Sequence, residues 1–306
     1  MTVSPICSLL CLVIFAVPTS FAADAAKIHW PKPLEASQGD LVEISVGGED
    51  LLEVNGLLGK EKIYFHPTKM GMYSALVGVD VEAKPATVKL MLKAITAAGE
   101  RRQREIPLKI KAKAFHQESF NVAPSFDQMS PETLVEIRRE QQAFARVFAA
   151  PAAERFWNLP FARPVSAVAS ASSFGSRRII NGVPRAPHTG TDLSAPASTE
   201  VVTTNHGRVV LVGNFFFAGG SVVIDHGGSL YSMYFHLAEF KVEEGAMVRR
   251  GDVVALSGGT GRVTGPHLHW ALRLNNARVD PLDLLRKFSG QTESIETSNA
   301  AAKAEK

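Results

Sequence analysis

Gly265-Pro-His-Leu-His-Trp-Ala-Leu-Arg-Leu274 reads as a strand that opens on two histidines. Side chains two apart on a strand leave the same face, so His267 and His269 are expected to point into one site. Upstream, His188-Thr-Gly-Thr-Asp192 sets a histidine and a carboxylate four apart. Gly190 and the β-branched Thr189 and Thr191 disfavour a helix there, and the stretch reads as a loop running into a short strand. A lone histidine in Tyr234-Phe-His236-Leu237 completes the group. Together these residues offer three plausible metal ligands and two spare imidazoles. A catalytic zinc takes three protein ligands and keeps a fourth position for water, whose pKa it lowers to about 7.

The surrounding sequence carries Phe174-Gly-Ser-Arg-Arg178, Val222-Val-Ile-Asp-His-Gly227, Gly251-Asp-Val-Val254, Gly258-Gly-Thr-Gly261 and Val279-Asp-Pro281. With HxxxD and the downstream GPHLH, in this order and spacing over residues 160–285, they resemble the zinc metallopeptidases of family M23, the LytM/lysostaphin type. The resemblance implies that His188, Asp192 and His269 bind one Zn2+ per chain and that His236 and His267 are the catalytic imidazoles. It also implies peptidoglycan as substrate. Histidine titrates near neutral pH, as general acid–base work requires. Two positions depart from the family pattern. Some members have a tyrosine shortly before the first zinc histidine, where this chain has Asn181-Gly182. Either Asn181 or Arg178 is expected to donate instead, or His236 and His267 serve unaided. Ala271 stands where many relatives have Glu, so a hydrogen bond that orients a ligand is expected to be absent or to come from elsewhere. His226 is read as a turn or packing residue, and His29, His66, His116 and His206 as structural or surface histidines.

The 306 residues suffice for about two domains. A hydrophobic content of 45% and a charged content of 21% are those of a globular protein. The net charge of +3 suits an anionic polymer of the cell wall and gives no case for nucleic acid. Ile6 to Val17 is an apolar run ended by Pro18, with Ser20-Phe-Ala22 as a small-x-small cleavage site. Residues 1–22 therefore read as a signal peptide rather than a membrane span, with a retained N-terminal anchor as the alternative. An exported chain in the periplasm or cell envelope is expected, without stable membrane insertion of its mature form. Cys7 and Cys11 are the only cysteines and both lie in that segment. Once it is removed, a metal site must be built from nitrogen and oxygen donors.

A mainly β chain is expected. In residues 23–115, Val88, Leu90 and Leu92 alternate with Lys89, Met91 and Lys93, and Ile106, Leu108 and Ile110 alternate with Pro107, Lys109 and Lys111. This is the pattern of half-buried strands. It predicts an Ig-like β-sandwich with Pro107 on an edge strand. Residues 116–160 read as a linker with one helix, capped by Ser130, opened by Pro131 and stopped by Pro151. Leu134, Ile137, Gln141, Phe144 and Phe148 form its packing stripe. Residues 161–287 are the strand-rich catalytic region. Gly245-Ala-Met-Val-Arg-Arg-Gly251 resembles the turn-and-strand repeat of lipoyl-like barrel-sandwich folds. Residues 288–306, rich in Ala, Glu, Lys, Ser and Thr, read as a disordered tail. The functional reading is a zinc endopeptidase that cuts cross-links or stem peptides of peptidoglycan. Its rival is a non-catalytic wall-binding regulator of another hydrolase, against which the complete five-residue set argues. A further regulatory partner has no signature in the sequence.

Overall fold

The computed structural model describes residues 27–68, 71–120, 129–166 and 173–288. The expected signal peptide and the tail beyond Phe288 lie outside the described residues. The N-terminal strands are β1 (Ile28–His29), β2 (Leu34–Ser37), β3 (Leu41–Gly48), β4 (Leu51–Leu58), β5 (Glu61–Tyr64), β6 (His66–Pro67), β7 (Tyr73–Gly78), β8 (Thr87–Thr96) and β9 (Arg101–Lys111). They form two sheets, ordered β1-β3-β7-β6 and β2-β9-β8-β4-β5. Ile44, Val46 and Val77 of the first meet Val54, Ile63, Leu90, Leu92 and Ile106 of the second in one buried core. The alternation in the sequence is therefore the inward and outward alternation of a sandwich. Pro107 pairs only with Lys89, one residue before β2 joins β9 at Leu108. The missing N–H thus falls on the last open-edge position of the strand.

Next come β10 (Gln117–Phe120) and α1 (Pro131–Ala149). The hydroxyl of Ser130 accepts a hydrogen bond from Thr133 N at 3.2 Å and caps α1. The stretch read as a linker is more than a tether, because β10 pairs in parallel with β11 (Arg177–Ile180), which also pairs with β12 (Val183–Pro184). Phe144 and Phe148 of α1 pack on Val223, Tyr231, Met233 and Ala271, which lie on the outer face of the large C-terminal sheet.

That sheet contains β13 (Gly190–Leu193), β14 (Glu200–Val202), β15 (Gly207–Phe215), β16 (Gly219–Asp225), β17 (Leu230–Phe240), β18 (Met247–Val248), β19 (Val253–Ser257), β20 (Leu268–Leu274) and β21 (Ala277–Val279), and α2 (Pro281–Phe288) follows it. Its main path runs β13-β20-β17-β16-β15-β18, with β19 joining β14 to β17 and β21 beside β20. Val222, Ile224, Tyr234, Leu268, Trp270 and Leu272 fill its inner face. β17 has two partners along one edge. Leu230 to Phe235 pair with β20, and Leu237 to Phe240 pair with β19. His236 is the residue left between them.

The N-terminal sandwich is fastened to this sheet along β7, β20, β21 and α2. Leu41 and Leu76 join the C-terminal core. Arg278 forms a bidentate pair with Asp80, at 2.9 and 2.6 Å, and Leu41 N donates to Asp283 Oδ2 at 3.2 Å.

Candidate active site

β13 and β20 run antiparallel with Asp192 opposite His269. His188 lies just before β13, and His267 just before β20, bridged to Gly258. One strand pair therefore gathers four of the five residues. Gly190 faces Ala271 and lies against the ring of His269; a β-carbon there would be 2.4 Å from Nε2. The glycine inside HxxxD is what lets the imidazole approach β13. Behind the site, Phe235 stacks on His269 with ring centroids 5.6 Å apart, and Phe144 of α1 backs Phe235.

Three donor atoms converge. His188 Nε2 is 2.9 Å from His269 Nδ1 and 3.2 Å from Asp192 Oδ1, and His269 Nδ1 is 2.8 Å from that same oxygen. His188 Nδ1 lies 3.0 Å from the carbonyl of Ser173. A carbonyl only accepts, so Nδ1 carries the proton and Nε2 faces inward with its lone pair. Two imidazole nitrogens and a carboxylate oxygen thus face one another. One proton can bridge a pair of them, whereas a cation satisfies all three. Two donors on one tetrahedral zinc lie ~3.3 Å apart, given bonds of 2.0–2.1 Å, a few tenths of an ångström from the spacings seen. His188, Asp192 and His269 are also a set of three residues able to hold a metal ion. Two imidazoles and a carboxylate are the donors of a catalytic zinc that keeps a position for water.

The electrostatics agree. Burial pushes the Asp192 carboxyl up, but the adjoining His188 and His269 outweigh it and hold the group well below the usual carboxylate range. Burial lowers His269, with Asp192 opposing. Both therefore favour the forms that bind metal: an anionic carboxylate and a neutral imidazole.

The remaining two imidazoles flank this cluster. The ring centroids of His236 and His267 are 4.9 Å apart, and that of His236 is 6.0 Å from His269. His236 has φ +63°, uncommon for a residue with a side chain. Its N–H leaves the β17 ladder and donates to Ala218 O at 2.9 Å. The strand irregularity between β20 and β19 thus turns this one side chain into the site, a recurrent use of bulges. His236 Nδ1 donates to Thr260 O and His267 Nδ1 to Gly265 O, each at 2.9 Å. Both rings therefore present Nε2, and that of His267 lies 3.6 Å from Asp192 Oδ1. Burial lowers His236 to about 4, the Thr260 bond opposing, so this ring is neutral at pH 7.

The orienting bonds come from backbone carbonyls of Ser173, Thr260 and Gly265, and Ala271 is buried between its sheet neighbours. Of the proposed metal ligands, His188 is thus oriented from a loop, by Ser173 O, rather than by a residue at position 271. Carbonyls carry no residue signature, so sequence reading missed them. Arg178 lies on β11, its backbone paired with Glu118. Asn181 sits exposed at the β11–β12 turn with φ +52°. His226 is fully buried, with Nδ1 on His206 O and Nε2 on Ser232 Oγ, both at 2.7 Å; it is a packing residue.

The profile of Peptidase family M23 matches residues 186–281. The chain is 44% identical over 112 residues to peptidoglycan DD-endopeptidase ShyA of Vibrio cholerae, covering 36% of this chain and 26% of that protein. It is 36% identical over 116 residues to DD-carboxypeptidase/endopeptidase Mpg of Neisseria meningitidis, covering 38% and 27%. The matches thus span about a quarter of the length of these curated relatives. A solved structure from Pseudomonas aeruginosa assigned to peptidase M23 superposes with a TM-score of 0.64 at 28% identity, covering 84% of this chain and 96% of that one. A share that large takes in the N-terminal sheets as well. Residues 186–281, which hold His188, Asp192, His236, His267 and His269, are therefore a domain of peptidase family M23.

Proposed function

We propose that this protein is a zinc-dependent endopeptidase that hydrolyses peptide cross-links or stem peptides of peptidoglycan in the cell envelope. The observation that carries the reading is the convergence of two imidazole nitrogens, of His188 and His269, and a carboxylate oxygen of Asp192 beside two imidazoles that both present Nε2. Zinc held there supplies a Lewis acid for the scissile carbonyl and a bound water acidic enough to lose its proton near pH 7. The chain supplies the proton traffic. His236 is neutral at pH 7, so its Nε2 first accepts a proton and then returns it to the leaving amine nitrogen. His267 faces the same space and, when protonated, donates to the oxygen on which charge develops. The carbonyls of Thr260 and Gly265 keep both rings in the tautomer this needs. The names of the relatives add the bond class, a DD-peptide bond, as the one cut.

Asn181 and Arg178 are proposed to contact substrate, Asn181 from the exposed turn after β11. Export to the periplasm or cell envelope follows from the substrate and from the reading of residues 1–22. Among the described residues no helix is long and apolar enough to cross a membrane. The test is digestion of purified peptidoglycan, with mass spectrometry of the fragments, with and without a chelator. Loss of cross-linked fragments that stops with chelator and returns with Zn2+ supports the reading. Intact sacculi with zinc confirmed bound contradict it. Asn181→Ala is expected to raise KM and leave bound zinc unchanged, measured on the same fragments.

A further inference from the structure

The turn that orients two of the metal-binding residues is clamped by the N-terminal sandwich. Ser173 O holds the His188 ring, and Ser173 Oγ accepts from Asp192 N at 3.1 Å. The His188 backbone is tied to the same turn, Gly175 N donating to His188 O at 2.7 Å and His188 N to Ser176 O at 3.0 Å. The position of His188 and Asp192 is thus the position of residues 173–176.

What holds 173–176 in place comes from the other half of the chain. Phe174 is buried against Gly39, in the β2–β3 turn; a β-carbon on Gly39 would be 2.4 Å from Phe174 Cε1. Gly39 is itself pinned by Gly39 N to Val79 O at 3.0 Å and by Asp280 N to Gly39 O at 2.8 Å. Phe115, just past β9, meets Phe174 edge-on with centroids 6.4 Å apart. It also lies over Gly175, where a β-carbon would be 2.1 Å from Phe115 Cδ1. Gly175 has φ +80°, so both its backbone and its neighbour require a glycine. The cations of Lys113 and Arg177 cover the Phe115 ring. Finally, Arg177 N donates to His116 O at 2.8 Å, and β10 continues as the partner of β11.

We infer that Phe115 and the Gly39 turn are positioning elements of the metal site: the N-terminal sandwich sets metal affinity by fixing the turn that carries Ser173. The inference rests on reading His188 and Asp192 as metal ligands. Outer-shell partners of metal ligands change affinity by about 10–100-fold, and Phe115 acts one contact further out.

The test is zinc and cobalt titration of the full chain, stripped of metal, against a chromophoric competitor. Phe115→Ala is expected to weaken both metals by about tenfold or more and to alter the visible cobalt spectrum, which reports ligand geometry. Phe115→Tyr is expected to restore affinity to within about twofold. Should Phe115→Ala fail to fold, Phe115→Leu, which lacks the ring over Gly175, takes its place. Ile63→Ala, a cavity in the sandwich core remote from this contact, lowers the melting temperature and is expected to leave affinity and spectrum unchanged. Wild-type affinity in the Phe115 variant, beside loss of metal in His188→Ala, overturns the inference and leaves the metal site standing. Equal weakening by Ile63→Ala also overturns it, since generic loosening would then suffice. Undiminished binding by His188→Ala overturns the metal-site reading itself.

Discussion

From Glu105 to Lys111 the residues of β9 alternate between exposed and buried, whereas every residue of β16 is buried. β9 belongs to a sheet with one dry face and one wet face. β16 lies between the inner core around Tyr234 and Trp270 and the outer layer that α1 builds with Phe144 and Phe148. A strand with water on one side accepts almost any polar residue there. One buried on both sides has no such freedom. The five site residues all lie in or beside this two-sided sheet. Close packing on both faces allows an imidazole to be held within a few tenths of an ångström. Among the described residues the sandwich contributes no donor to the cluster, and it acts through the turn at Phe174.

Substitutions in the two regions are expected to differ in kind. The largest effect is expected at the site. Asp192→Ala or His269→Ala removes one of the three proposed ligands, and metal analysis should find the site empty and peptidoglycan uncut. A protein that retains zinc and cuts normally would separate the cluster from the activity. Next comes the core of the sandwich. Leu92→Ala leaves a cavity where Leu92 is fully buried and should cost about 2–5 kcal/mol in urea unfolding, with zinc affinity unchanged. A fall in affinity there would show that the two halves are coupled throughout.

A pH effect of intermediate size is expected from the buried histidines of the large sheet. Burial, opposed by the His206 carbonyl, lowers His226 to about 4. The ordinary histidine of the unfolded chain titrates near 6.5. Between these values the unfolded chain binds more protons, so stability falls as pH drops from about 6.5 toward 4. Burial sets the same direction for His66 and His236. Urea midpoints across that window should decline in the wild type and decline less in His226→Gln. An equal slope in both would remove His226 from the account. The smallest effect is expected on the wet face. Lys93→Ala, at an exposed position of β8, should change stability by no more than about 0.5 kcal/mol, and a larger loss would mean that face is covered.

The parts of the fold legible in the sequence are those governed by local periodicity. The alternation at Leu90, Leu92, Ile106 and Leu108 marks strands whose inward residues are buried. The helix expected after Ser130 runs Pro131–Ala149. In residues 161–287, which read as strand-rich, continuous burial, as along β16, masks where a strand ends. The site was legible as residue types, since HxxxD and HLH share one antiparallel pair. Three features were not. The partner switch that gives His236 its positive φ depends on β19 and β20, far along the chain. The orienting carbonyls could belong to any residue. The parallel pairing of β10 with β11 joins two short segments that share no hydrophobic pattern.

The most direct test of the central claim is the peptidoglycan digest carried out with His236→Ala, alongside its zinc content and circular dichroism. His236 is anchored by Thr260 O and Ala218 O and by none of the three proposed ligand atoms. The expected result is one zinc per chain, an unchanged fold and cleavage reduced by about 10²–10⁴-fold. Cleavage at the wild-type rate with zinc in place would contradict the account, because the proton would then not travel through His236.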